Sequence, residues 1–267
     1  MLYENKFDIV SIFTPIQTHF DIIKEYIQCG VKAIFCEKTI SYSLQEANDI
    51  ALLCSKYSIV FAVNYIFRWD NLIQEIKMLL DSNEIGKIYS LTGYGATALH
   101  TSTSHLIDLI VYFFNSKVKY VLGDIQTDFA RNVYGVDEYG GIGIVKFHSG
   151  IISFIKGTSV SPMSYMLEID ILGENGRIKL YNNGMSYDLY KYSNKINSSG
   201  SSYKALQLIY SKNNTDPNER MIDAILDIIN CIENGGIPVS NIYTSIESIK
   251  IIEGIRSSHF NQILEYN

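Results

Sequence analysis
The chain has 267 residues, 47% hydrophobic and 19% charged, with a formal net charge of −6 at pH 7. That apolar content supports a large core in one big domain or two moderate ones and excludes a disordered chain. The acidic balance without a Lys/Arg-rich run argues against a nucleic-acid surface, and no apolar stretch reaches the roughly 18–20 residues of a membrane span. The opening "MLYENKFDIV" lacks a leader's basic and apolar regions, so a cytoplasmic location is expected, with no nucleic-acid or membrane partner.

Residues 7–82 alternate between two periodicities. "FDIVSIFTP" reads as a buried strand stopped by Pro15, and "THFDIIKEYIQCG" as an amphipathic helix ending on Gly30. "KAIFCEK" is a second strand. "SLQEANDIALLCSKYS" is a helix opened by a capping box of Ser43 and Glu46, "IVFAVNY" a third strand, and "NLIQEIKMLLDSNEIG" a third helix. Continuous apolar strands separated by helices pair in parallel through right-handed crossovers, which makes this half α/β.

After Gly86 the pattern changes. A strand at about 87–95 and a helix at about 103–114 are followed by "VKYVLGDIQTD", "GIGIVKFHSG", "IISFIKGTSV", "YMLEIDILGENGRIKLYN" and "SYDLYKY", which alternate with period two. "FHSGIIS" and "GENGRIKL" carry hairpin signals. This half reads as α+β around an antiparallel sheet, with a mobile Ser/Asn-rich loop at 191–202 and closing helices at about 217–234 and 243–258. The expected division is 1–85 and 86–267.

Cys29, Cys36, Cys54 and Cys231 show no C-x-x-C pairing, and the five histidines make no H-x-x-x-H or H-E-x-x-H pattern, so buried thiols are expected and a metal site is not. In an open parallel sheet ligands bind beyond the carboxyl ends of the strands, which here carry Thr14-Pro15, Glu37-Lys38 and Asn64-Tyr65. A lysine desolvated there is tuned for proton transfer; the alternative is a solvated Glu37–Lys38 pair at a strand end. His105 and Asp108 lie one helical turn apart in "HTSTSHLIDLIVYFF", and His105 is either buried and satisfied or aimed at a cleft.

Together "SIFTPIQTHF", "CEKTIS", "VNYIFRWD" and "SHLIDL", in this order and spacing, resemble the Gfo/Idh/MocA family of NAD(P)-dependent oxidoreductases, over about residues 7–260. The resemblance implies a partial Rossmann-like parallel sheet followed by an open-faced, predominantly antiparallel sheet domain with helices. It also implies NAD or NADP as cofactor, a sugar or nucleotide sugar as substrate, and a homo-oligomer through the antiparallel sheet. By the same carry-over, Lys38 and His105 would be catalytic, Thr14, Pro15, His19, Glu37 and Asn64 would border the cofactor, and Tyr65, Arg68, Thr101 and Asp108 would meet substrate.

Three departures stand out. Thr39 replaces the proline of the E-K-P motif, which should loosen the turn. Thr101 stands where many sugar dehydrogenases of the family carry Asp; a polar, uncharged residue there, with "VNYIFRWD", resembles members of polysaccharide pathways. No G-x-G-x-x-G turn occurs: "GYGATA" at 93–98 lacks the last glycine and "GGIGIV" at 140–145 the spacing. The first strand here matches the family's fourth, so about 60 residues of one βαβαβ half are expected to be missing. That would leave "DIVSIF" as an open apolar edge. Beside the enzyme, the sequence therefore leaves open a truncated, non-catalytic remnant or interaction module.

Overall fold
A computed structural model describes residues 7–158, 166–193, 204–214 and 219–261. The first half builds a three-stranded parallel sheet, β1 (Ile9–Ile12), β2 (Ala33–Cys36) and β3 (Val60–Val63), in that spatial order. Helices α1 (Ile16–Gln28) and α2 (Leu44–Tyr57) form the crossovers. β1 is an edge of this sheet, as its sequence neighbours imply, and the Phe13 side chain that follows it is 57% exposed.

Local chemistry sets the helix ends. Ser43 Oγ accepts from the Glu46 N–H at 3.4 Å, and Gly30, just past α1, takes a φ of +78° that a side chain would resist. Asp70, after a short 3-10 turn at Ile66–Trp69, caps α3 (Asn71–Asp81) by accepting from the Leu72 and Ile73 N–H groups. Such a cap is worth about 1 kcal/mol.

The second sheet has eight strands: β4 (Ile88–Gly95), β5 (Val118–Val133), β6 (Val136–Phe147), β7 (Ile152–Gly157), β8 (Leu167–Gly173), β9 (Gly176–Tyr181), β10 (Ser186–Tyr192) and β11 (Leu206–Asn213). The spatial order is β11-β10-β9-β8-β4-β7-β6-β5, and only the β4–β7 pair is parallel among them. Both expected hairpins, β6–β7 and β8–β9, are present. β11 departs from expectation: it pairs with β10 after the Ser/Asn-rich stretch, of which residues 194–202 lie outside the described residues while 191 and 192 belong to β10.

Helices α4 (Thr103–Phe114) and α6 (Ile242–Asn261) cover one face of this sheet, and α5 (Arg220–Asn234) precedes α6. α6 begins one residue before and ends three beyond the expected span; residues 217–218 of the other expected helix are not described. Leu72, Ile73, Ile76 and Leu80 of α3 join the core of the large sheet, whereas Ile242, Ile246 and Ile249 of α6 join that of the small one. The two sheets thus share their helices. Cys36, Cys54 and Cys231 are buried, Cys29 half-buried, and all are free thiols. Among the described residues no helix is long and apolar enough to cross a membrane.

Candidate active site
The register of the small sheet places Ile12, Cys36 and Val63 side by side, so the residues that follow emerge together. The ladder continues one step further: Glu37 N–H donates to Ile12 O at 2.9 Å and Asn64 N–H to Cys36 O at 2.8 Å. Asn64 Nδ2 then donates to Glu37 Oε1 at 2.6 Å, and Glu37 Oε2 accepts from the Lys38 N–H at 3.2 Å. With its carboxylate so held, Glu37 does not pair with the neighbouring ammonium; Lys38 Nζ instead donates to Thr101 O at 2.9 Å, just ahead of α4. Lys38 is therefore no solvated strand cap. Burial lowers its pKa below the ordinary lysine value, against the opposing charges of Glu37 and Glu138 and with a smaller push from Arg131. Thr39, 0% exposed, follows through a cis peptide bond.

His105 stands on the first turn of α4, and glycines let that turn approach the sheet. A Cβ at Gly157 would lie 2.6 Å from Thr103 Cγ2 and one at Gly95 2.8 Å from Thr103 Oγ1, both closer than side chains tolerate. Thr97 clamps the same turn: its hydroxyl accepts from the Thr103 N–H at 2.9 Å, and Thr103 Oγ1 donates to Thr97 O at 2.7 Å. The glycines of "GYGATA" are thus a seat for a helix. His105 packs edge-on against Tyr65 and Phe67, at ring-centroid distances of 5.8 and 5.4 Å. Its Nδ1 is buried without a hydrogen-bond partner, as is the Tyr65 hydroxyl. Burial, then the positive charges of Lys38 and Arg220, push the His105 pKa well below the ordinary value, so the imidazole is neutral beside an ammonium.

The other expected residues divide. Thr101 holds Lys38 through its carbonyl, and its hydroxyl donates to Ala98 O at 2.9 Å. Thr14 is exposed and Pro15 half-buried at the start of α1. His19 is 0% exposed, its Nε2 2.8 Å from Thr14 O and its Nδ1 3.2 Å from Ile40 O, so it ties together the loops after β1 and β2. Arg68 and Asp108 form a two-pronged ion pair at 2.7 and 2.8 Å, each side chain 1% exposed, which leaves neither open to a ligand.

Sequence reasoning missed three residues here. Glu138 on β6 accepts from the Tyr42 hydroxyl at 2.7 Å, and His100 meets the Tyr42 ring edge-on at 4.8 Å, with Nδ1 3.1 Å from Thr39 Oγ1. His100 lies five residues before His105, a spacing that does not stack the two on one helix face, and nothing local marks Glu138.

The strand ends fit one end of a dinucleotide better than its middle. Asn64 Oδ1 is buried and unpartnered, an acceptor suited to a carboxamide N–H. The turn after β1 has no glycine, and Pro15 at its N-cap has no N–H to offer a phosphate, so this turn supplies no diphosphate cradle. A cavity of about 630 Å³ lies at the opposite end of β2 and β3, beside Val31, Val60 and Pro238, away from Lys38.

Residues 1–65 match the family described as "Oxidoreductase family, NAD-binding Rossmann fold", and residues 92–179 match "GFO/IDH/MocA C-terminal domain". The chain belongs to the Gfo/Idh/MocA oxidoreductase family. An uncharacterized protein of Haemophilus influenzae is 54% identical over 93 residues, 35% of this chain and 90% of that protein. A scyllo-inositol 2-dehydrogenase (NAD(+)) of Bacillus subtilis is 25% identical over 187 residues, 64% of this chain and 54% of that enzyme. The alignment therefore spans about half the length of that relative. Among solved structures, a levoglucosan dehydrogenase in complex with NADH and levoglucosan superposes with a TM-score of 0.82 at 16% identity, over 97% of this chain and 80% of that one. This Gfo/Idh/MocA chain thus carries the family's fold with three strands in its parallel sheet among the described residues.

Proposed function
We propose that this chain handles the alcohol in an NAD(P)-dependent dehydrogenation of a sugar or nucleotide sugar. The observation that carries the reading is the buried, unpartnered ring nitrogen of His105, on the helix turn that follows Thr101, whose carbonyl holds Lys38 Nζ at the carboxyl end of the parallel sheet. Lys38 orients the reacting hydroxyl and stabilises negative charge as it develops on oxygen, while His105 accepts the hydroxyl proton. A nicotinamide, when bound beside Asn64, would supply the hydride acceptor. Holding Lys38 on a backbone carbonyl keeps it in place without neutralising it, and partial burial of both side chains limits water around the reacting oxygen.

Arg68 and Asp108 act in this reading by fixing the 3-10 turn against α4, and His19 by bracing the strand-end loops. Thr101, uncharged where a carboxylate would strengthen the relay, and the resemblance of "VNYIFRWD" incline the substrate toward nucleotide sugars of surface-polysaccharide synthesis. A homo-oligomer through the open face of the large sheet accounts for exposed Leu122, Ile142, Ile144 and Phe154, and the cytoplasm is the expected compartment.

A second reading, an interaction module of the family without catalysis, draws on the glycine-free turn after β1 and the open β1 edge. Thermal midpoints of the purified chain with millimolar NAD(H) or NADP(H) separate the two. Saturation at about 100 times the dissociation constant adds roughly 2.7 kcal/mol of stability. A rise with one cofactor, and an alcohol-dependent activity abolished by Lys38→Ala, are the expected results. A cooperative transition that neither cofactor moves favours the module, and an activity that survives Lys38→Ala unchanged removes Lys38 from the chemistry.

A further inference from the structure
Glu138 is 3% exposed and His100 4%. Each has one polar atom satisfied and one left over. Glu138 Oε1 accepts from the Tyr42 hydroxyl, but Oε2 has no partner; His100 Nδ1 lies 3.1 Å from Thr39 Oγ1, but Nε2 has no partner. Both side chains touch the same tyrosine, one at its hydroxyl and the other at its ring. A buried polar atom left unpaired costs about 1–3 kcal/mol, more when charged, so two on one tyrosine mark a place built for an occupant.

The occupant's chemistry follows from the two atoms. In the tautomer in which the Thr39 hydroxyl donates to Nδ1, His100 presents an N–H at Nε2, while the carboxylate oxygen Oε2 of Glu138 accepts. A group that donates to one and accepts from the other is a neutral hydroxyl. An anion would face the Glu138 carboxylate. An ammonium has no lone pair with which to accept the His100 N–H. Lys38 lies beside this cluster: Thr39, the residue after it, meets His100 Nδ1, and its own Nζ donates to the carbonyl of Thr101, the residue after His100. Tyr42, half-buried, is the most open member of the trio, so a turn of its side chain would give access.

We propose that Tyr42, His100 and Glu138 form a hydroxyl-binding subsite beside Lys38, which takes a second hydroxyl of a neutral polyol whose reacting hydroxyl meets Lys38 and His105. The subsite rests on the dehydrogenase reading for the identity of the first hydroxyl. It selects an uncharged substituent at the second position, so a sugar with a carboxylate or phosphate there is refused.

The test uses the whole chain labelled with 15N-histidine and titrated, with and without NADH, with myo-inositol, D-glucose and D-glucuronate. His100→Gln assigns the His100 signals. The expected result is a saturable shift of the His100 Nε2 resonance with a neutral polyol, together with roughly fivefold weaker binding in Glu138→Gln, the loss of one hydrogen bond to a charged acceptor. The shift is read in the unaltered protein, so it stands even where Glu138→Gln fails to fold. Binding that moves His105 and is lost in Lys38→Ala, while His100 stays still, overturns the subsite and leaves the dehydrogenase reading intact. Tighter binding of glucuronate than of glucose, accompanied by a His100 shift, also overturns it. No binding of either neutral polyol, with or without NADH, overturns the subsite, while the dehydrogenase reading stands or falls on the cofactor-dependent thermal shift and the Lys38→Ala activity.

Discussion

Two charged clusters flank α4, each with buried polar atoms, yet they are built on opposite principles. At Asp108 each charge is answered: two Arg68 nitrogens meet the two carboxylate oxygens, a third donates to Val239 O at 3.0 Å, and the guanidinium lies 5.0 Å from the Tyr112 ring centre. One turn earlier, around Lys38, His100, His105 and Glu138, charges and polar atoms are brought together and left partly unpaired. Burial alone does not distinguish structure from chemistry here. The state of the hydrogen bonds does, because an atom already satisfied has nothing to offer a ligand.

Removing one partner from the satisfied cluster should give the largest effect. Asp108→Ala leaves the Arg68 guanidinium buried without its counter-charge, and a loss of about 3–5 kcal/mol in urea-unfolding free energy is expected. A loss below about 1 kcal/mol would mean that the pair holds nothing in place, and the contrast between the clusters would fail.

The unsatisfied cluster should show itself through pH. Burial, followed by the charges of Arg256 and Lys38, lowers the His100 pKa to about 3, whereas an unfolded histidine titrates near its ordinary value of about 6.5. Between those values the unfolded state holds a proton that the folded state refuses. His100 therefore makes stability fall as pH falls, by about 1.4 kcal/mol per pH unit once well below the ordinary value. His100→Gln should flatten the stability profile between about pH 6.5 and 4.5. An unchanged slope would mean that His100 accepts its proton in the folded protein.

How much of this was readable in the sequence depends on distance along the chain. Charges at the ends of apolar strands converge in any parallel sheet, so Glu37, Lys38 and Asn64 could be placed together from periodicity alone. Glu138 lies 100 residues beyond Lys38 on the other sheet, and no local pattern joins a carboxylate on β6 to a tyrosine after β2. Asp108 was visible one turn from His105 in an otherwise apolar helix and Arg68 through the family resemblance, but their pairing depends on how the 3-10 turn meets α4. β11 was missed because its residues are half-buried or exposed throughout, so "LQLIYSKN" lacks the alternation that reveals a half-buried strand. In "GYGATA" the glycines were legible and their purpose was not, since a seat for a helix is defined by the helix that arrives.

The smallest expected effect has the most informative sign. Lys38→Met keeps the length of the side chain and removes the charge, and Thr101 O keeps its second donor, the Ser104 hydroxyl. Because burial lowers the Lys38 pKa, the folded protein disfavours the ammonium relative to the unfolded chain at neutral pH. That penalty is full below the folded-state value and disappears as pH rises past the unfolded value of about 10.5. Lys38→Met should thus be more stable than the unaltered protein at about pH 7, with the advantage shrinking at about pH 9.5, while any alcohol oxidation is lost. Unfolding midpoints of both proteins at the two pH values check this. A variant less stable at neutral pH would make Lys38 a structural tether between the small sheet and α4, and would move it from the unsatisfied cluster to the satisfied one.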